Sequence, residues 1–129
     1  MRSPHFVLFV CKHNTGRSQM AEAYLREFAG GRIDVASAGT IAADVPDPDV
    51  VAAMAEDGID ISAARPKLLT ETLIRGADRI ITMGCDVQVP RIDDDWGLPD
   101  PKGQPIERIR EIRDMVKAKA RVLAEALNR

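Results

Sequence analysis

Val7-Leu8-Phe9-Val10-Cys11-Lys12-His13-Asn14-Thr15-Gly16-Arg17-Ser18 joins an apolar run to a polar loop and then to a helical pattern. Val7 to Val10 are all apolar and two of them are β-branched, as in a buried strand. From Ser18 to Phe28 the chain is rich in helix formers, with Met20, Tyr24 and Phe28 at helical intervals. A strand, a short loop and a helix start together make an anion cradle. Loop amides and the first helical N–H groups point inward, and the helix dipole favours negative charge there. Cys11 at the head of that cradle is expected to ionise well below the ordinary thiol value of about 8.5 and to act as a nucleophile. Arg17 closes the loop with a planar fork suited to a tetrahedral oxyanion. No Gly-x4-Gly-Lys-Ser/Thr occurs, so nucleotide binding is not the first reading.

Lys12, His13, Asn14, Thr15, Gly16 and Ser18 complete the candidate oxyanion loop. Asn14 tolerates left-handed backbone, and its side chain can bond loop backbone. Ser18 has two readings: donor to the Cys11 sulfur, or N-cap of the helix that follows. His13 reads as loop surface or substrate entry, because a thiolate held this way does not require an imidazole base. His5 reads as structural. Neither histidine pairs with other ligands at zinc spacing, and no metal is expected.

The 129 residues suit one compact domain, 1–129. Hydrophobic residues make up 45% of the chain, enough for a proper core, and 29% are charged, typical of a soluble surface. A net charge of −2 gives no basic field to recruit nucleic acid or an anionic membrane. No apolar run approaches the roughly 20 residues of a membrane-spanning helix. Met1-Arg2-Ser3-Pro4-His5 leads straight into the first strand, so no signal peptide is expected. The two cysteines, Cys11 and Cys85, favour a reducing cytoplasm and catalytic rather than structural thiols.

Further along, a second strand is expected at Ile33 to Ala36, running into Ser37-Ala38-Gly39-Thr40. After the turn Val45-Pro46-Asp47-Pro48, a helix is expected over about Asp49 to Asp57, stopped by Gly58. A short helix near Thr70 to Arg75, a third strand over Arg79 to Met83 and a fourth around Arg91–Ile92 follow. Asp93-Asp94-Asp95-Trp96 reads as an acidic, solvated loop. Ile106, Ile109, Ile112, Val116, Ala120, Leu123 and Leu127 form one stripe of a long last helix, expected to pack on the sheet. Strands alternating with helices predict an α/β, Rossmannoid fold: a parallel sheet with helices on both faces. Ligands of such sheets bind beyond the carboxyl ends of the strands, where Cys11, Ser37, Cys85 and the Asp100 loop are expected to converge.

Asp100 lies between Pro99 and Pro101. It reads either as a turn former or, over an oxyanion site, as general acid to a leaving group. Cys85 reads either as a thiol that attacks an adduct on Cys11 and forms a disulfide, or as a small buried thiol at a strand end.

Val7 to Ala23, Ser37-Ala38-Gly39-Thr40, Gly58-Ile59-Asp60-Ile61-Ser62 and Leu98-Pro99-Asp100-Pro101 resemble the low-molecular-weight protein tyrosine phosphatase superfamily. Ser18 to Ala23, Arg65-Pro66-Lys67, Thr82-Met83-Gly84-Cys85 and Asp95 to Pro101 are similar to the arsenate reductases of that fold. The resemblance spans nearly the whole chain. It implies a four-stranded parallel sheet, Cys11 as nucleophile, Arg17 as oxyanion clamp, Asp100 as general acid, and Asn14 and Ser18 as organisers of the loop. It also implies a second thiol that reduces the Cys11–arsenic adduct and releases arsenite.

Two departures from the family pattern bear on that chemistry. Val89 stands before Pro90, where thioredoxin-coupled relatives carry a further cysteine. The resemblance therefore implies an external thiol (glutathione, mycothiol or bacillithiol) with a redoxin partner. Alternatively, Cys85 attacks the adduct, leaving a Cys11–Cys85 disulfide for thioredoxin. Some of these reductases bind potassium beside the positions of Asn14, Glu22 and Ser37, and Lys67 stands where a carboxylate ligand would complete that site. Its ammonium is expected to replace the ion.

The expected substrate is an arsenate- or phosphate-like oxyanion, and the expected state is a cytoplasmic monomer that binds neither nucleic acid nor membrane. Lys102-Gly103-Gln104 after the Asp-Pro offers no aromatic wall for a phosphotyrosine ring, and Trp96 is the one aromatic near that loop. Arsenate reduction leads. A tyrosine or arginine phosphatase is the enzymatic alternative, and an oxyanion or redox sensor the non-enzymatic one.

Overall fold

The computed structural model describes residues 5–84 and 86–128. Cys85, one of the two thiols of interest, lies outside the described residues. The elements run β1 (Phe6–Cys11), α1 (Arg17–Ala29), β2 (Asp34–Gly39), α2 (Pro48–Glu56), α3 (Glu71–Gly76), β3 (Arg79–Thr82), β4 (Asp94–Asp95) and α4 (Ile106–Leu127). The four strands form one parallel sheet in the order β2-β1-β3-β4. Chain order reverses between β1 and β3, so the crevice of such a sheet opens at the end of β1.

β1 is apolar throughout because both faces of the sheet are covered. Val7, Phe9 and Cys11 belong to a core shared with α1, α2 and α4, while Leu8 and Val10 pack with Ile80, Ala77 and the α3 residues Leu73 and Ile74. Thr70 caps α3 by accepting from the Leu73 N–H at 3.2 Å. The α4 stripe is buried at Ile109, Ile112, Val116, Ala120 and Leu123. It packs against α1 and α2, inside the core those helices share with the sheet.

Two strand expectations need correction. β2 runs on past Ala36 to Gly39, in register with all of β1 from Phe6↔Asp34 to Cys11↔Gly39. The fourth strand is Asp94–Asp95, not Arg91–Ile92. The acidic run does more than face solvent. Asp93 Oδ2 accepts from the Ile80 N–H at 2.8 Å, and Asp95 Oδ1 accepts from Thr82 Oγ1 at 3.0 Å and the Gly84 N–H at 2.7 Å. Carboxylates thus take up amides at the edge of β3, and exposed charge on so short an edge strand discourages pairing with another chain. Among the described residues no helix is long and apolar enough to cross a membrane.

Tyr24 joins the three helices on one face. It is 1% exposed, and its hydroxyl donates to Asp57 Oδ2 at 2.7 Å. Lys117 Nζ donates to the same oxygen at 2.9 Å. Burial, reinforced by Asp57, pushes the Tyr24 phenol up. The bonds from Lys117 and then Tyr24 hold the Asp57 carboxyl below its usual range. Tyr24→Phe should cost about 1.5–3 kcal/mol, the value of a hydrogen bond to a charged group. Asp57, with a depressed folded pKa, contributes above its unfolded value of about 3.9 and loses that contribution as pH falls through the folded value. Tyr24, with a raised one, contributes below about 10 and loses it as pH rises through the folded value. The gap between wild-type and Tyr24→Phe melting temperatures should therefore be flat around neutrality and shrink in acid. A gap that persists undiminished in strong acid would contradict the pairing.

Candidate active site

The loop from Lys12 to Gly16 leaves the end of β1 and turns directly into α1. Three parallel-running amides hold its outer side: Thr40 N–H donates to Cys11 O at 3.1 Å, Ile41 N–H to Lys12 O at 2.8 Å and Ala43 N–H to His13 O at 3.2 Å. The chain beyond β2 is thereby laid along the loop. This approach is possible only because residue 39 has no side chain. A Cβ on Gly39 would lie 2.6 Å from Lys12 O and 3.0 Å from Asn14 N, both backbone atoms. Gly39→Ala should destabilise by about 1–3 kcal/mol through overpacking. It should also lower turnover out of proportion to the fraction unfolded, as read by thermal melting against activity.

Asn14 organises the inner side. It takes a left-handed backbone, φ 59°, and is fully buried. Its Nδ2 donates to Ser18 Oγ and to Ser37 Oγ, each at 2.9 Å. Its Oδ1 accepts from the Lys67 N–H at 2.9 Å and from Gln19 Nε2 at 3.2 Å. All hydrogen-bonding capacity of this amide is used. The Lys67 N–H can only donate, so Oδ1 must face it and the NH2 group must face the two serines. Ser37 in turn donates to Glu22 Oε1 at 2.8 Å.

That polarity reaches the sulfur. Ser18 Oγ lies 2.8 Å from Cys11 Sγ, and the Asn14 backbone N–H donates to Sγ at 3.2 Å. Because Ser18 accepts from Asn14, its own hydrogen is available for the sulfur. Both contacts are then donors, which stabilise a thiolate over a thiol. Of the two readings of Ser18, the sulfur contact holds. The N-cap position is Gly16, without a side-chain cap, and Ser18 lies inside α1.

Arg17 Nη1 donates to Leu98 O at 2.6 Å and to Met83 O at 3.1 Å. The guanidinium is thus tied to the loop after β3 and to the one that carries Asp100. Pro101 rests on the oxyanion loop: a Cβ on Gly16 would come within 3.0 Å of its ring. Asp100 Oδ1 accepts from the Lys102 N–H at 3.0 Å, so the turn-forming reading holds. The same residue also lines the cavity above Cys11. Lys12, His13, Thr15, Gly16, Arg17 and Asp47 line that cavity too. Lys12 and His13 are exposed. The cavity holds about 490 Å³.

No Phe, Tyr or Trp is among the described residues lining the cavity. Trp96, expected near the Asp100 loop, is 9% exposed and packs on Phe9 with ring centroids 5.1 Å apart. Three contributors are not legible as such in the sequence. Gln19 and the Lys67 amide reach Asn14 only through the fold. Asp47, which accepts from the Asp49 N–H at 2.9 Å as the N-cap of α2, also lines the cavity. An Asp before a Pro signals such a cap, but only the fold places it here.

Comparison with known proteins gives a consistent picture. Residues 6–88 match the low molecular weight phosphotyrosine protein phosphatase family. A glutaredoxin arsenate reductase of Synechocystis sp. is 39% identical, the match covering 86% of this chain and 89% of that protein. The solved structure of an arsenate reductase in the phosphate binding state superposes with a TM-score of 0.87 at 35% identity, covering 95% of this chain and 98% of that one. An arginine phosphatase from Geobacillus stearothermophilus superposes with a TM-score of 0.81 at 28% identity, covering 97% and 94%.

Proposed function

The chain belongs to the low molecular weight phosphotyrosine protein phosphatase family, and from that premise we propose that it is a thiol-dependent arsenate reductase. The observation that carries the chemistry is a sulfur under converging donors from Ser18 and Asn14, on the floor of a cavity that Arg17 and Asp100 also line. Likeness over most of the chain to proteins named arsenate reductase favours arsenic as the element attacked.

In this reading the Cys11 thiolate attacks arsenate at arsenic. An As–S bond forms, an As–O bond breaks, and the oxygen leaves as water with a proton from Asp100. Arg17 and the loop amides hold the remaining oxygens. A second thiolate then attacks the Cys11 sulfur. An S–S bond forms, the As–S bond breaks, and the electron pair stays on arsenic, which leaves as arsenite. Another thiol releases Cys11, so each arsenate consumes two thiols and yields one disulfide. The second thiol comes from a small thiol with a redoxin, or from Cys85 followed by thioredoxin. The setting is cytoplasmic, where thiol pools stay reduced, and the enzyme is a monomer.

The potassium expected of some relatives does not fit these residues. Asn14 Oδ1 is already taken by two N–H donors, and Lys67 Nζ stands 3.9 Å from Glu22 Oε1. The ammonium serves as the local cation. Melting temperature and activity should therefore be the same in potassium and sodium salts at equal ionic strength, and stabilisation specific to potassium would contradict this.

The test is arsenate reduction measured in parallel with glutathione–glutaredoxin and with thioredoxin, beside aryl phosphate hydrolysis without reductant. Arsenite formed only when a thiol system is supplied is the expected result. Ready phosphate turnover with no arsenite would favour the phosphatase reading instead. Cys85→Ser separates the two routes: unchanged turnover with the small thiol makes Cys85 a bystander, whereas loss of reduction with phosphatase activity kept assigns it the second thiol.

A further inference from the structure

We infer that Gln19 is a positioning residue whose carboxamide, alongside the Lys67 N–H, holds the hydrogen-bond polarity around the Cys11 sulfur. The inference rests on the proposed use of Cys11 as a nucleophile. Gln19 is 4% exposed and is not among the residues lining the cavity above Cys11. Its Nε2 donates to Asn14 at two atoms, the backbone carbonyl at 3.1 Å and Oδ1 at 3.2 Å. One bond holds Asn14 in the left-handed conformation, φ 59°, from which its backbone N–H reaches Sγ. Such a conformation is uncommon outside glycine and persists only where its surroundings impose it. The other bond supplies one of the two donors that keep Oδ1 turned away from the serines. With the NH2 group towards Ser18, that hydroxyl is left to donate to the sulfur. Turned over, Asn14 would present Oδ1 to Ser18, draw the hydroxyl hydrogen to itself, and leave a lone pair facing the sulfur. Gln19, together with the Lys67 N–H, therefore supports the Asn14 and Ser18 donors on Cys11 from a position one residue beyond Ser18.

The experiment uses the full chain and needs no arsenic chemistry. The rate of Cys11 alkylation by iodoacetamide is followed against pH, in a Cys85→Ser background so that one thiol reports. Gln19→Met keeps the volume and removes both donated bonds. Its midpoint should move upward by about half to one pH unit, a three- to tenfold fall in the thiolate-to-thiol ratio. Gln19→Glu, which sets acceptors against acceptors when ionised, should shift it the same way. In Ser18→Ala the further effect of Gln19→Met should be smaller than in the parent, since one relay is already gone. A folded Gln19→Met with an unmoved midpoint overturns the inference. Should neither variant fold, the parent protein decides. The Gln19 side-chain amide protons, observed by NMR, should exchange slowly and shift as Cys11 ionises. Protons that exchange as freely as in an unstructured chain overturn it. Loss of arsenite formation with intact alkylation behaviour would count against the arsenate reading alone.

Discussion

Cys11→Ser should lose arsenate reduction and phosphate-ester hydrolysis together, by on the order of 10⁴–10⁶-fold in kcat, the scale seen when a covalent nucleophile is removed. The substitution is nearly isosteric, and the residue is 5% exposed at the end of β1, paired with Gly39 of β2 and accepting from the Thr40 N–H, so folding should be kept. What changes is the acid. The donors from Asn14 and Ser18 that favour a thiolate act on a hydroxyl whose intrinsic acidity is far too low to follow. Anion binding depends on loop amides and Arg17 rather than on sulfur. Calorimetry should therefore find arsenate and phosphate still bound by the inactive variant. Residual turnover close to the parent would remove Cys11 from the reaction.

Arg17→Lys should cost on the order of 10²–10³-fold in kcat/KM, the range for losing one preorganised oxyanion contact. Charge is kept, so charge alone is not what this variant tests. The guanidinium holds Met83 O and Leu98 O through Nη1 while offering a planar fork to an oxyanion, and an ammonium on a flexible stem cannot match both demands. The two carbonyls belong to the loops that frame the cavity, and Leu98 lies two residues before Asp100. The loss should therefore fall on kcat as well as on KM, because the proposed acid is displaced along with the clamp. Steady-state kinetics on arsenate, with melting temperature to exclude unfolding, measures this. A parent-like kcat would confine Arg17 to holding loops together.

The features legible in the sequence are those carried by contiguous residues. Val7 to Val10 are apolar because helices cover both faces of β1, and the loop after them announces itself by Cys11, Gly16 and Arg17. The α4 stripe is periodic because one face is buried. β4 is hidden because an edge strand of two exposed aspartates carries no apolar signal, whereas Ile92 nearby does, although it is 47% exposed. The end of β2 is hidden because Ser37 and Gly39 resemble a turn. Their smallness instead serves the close approach of the oxyanion loop and the bond to Asn14. Trp96 is adjacent to the Asp100 loop in sequence, yet its ring packs inward on Phe9. Contacts that join distant residues left no local trace. Lys67 lies 53 positions from Asn14 and acts there through its backbone, which any residue other than proline could supply.

The account turns on where oxidation lands in a single turnover. Reduced enzyme mixed with arsenate and glutathione, quenched with acid and examined by mass spectrometry of its peptides, should carry Cys11 as a glutathione mixed disulfide or joined to Cys85, in step with arsenite formed. Arsenite accumulating while Cys11 stays a free thiol throughout would contradict it.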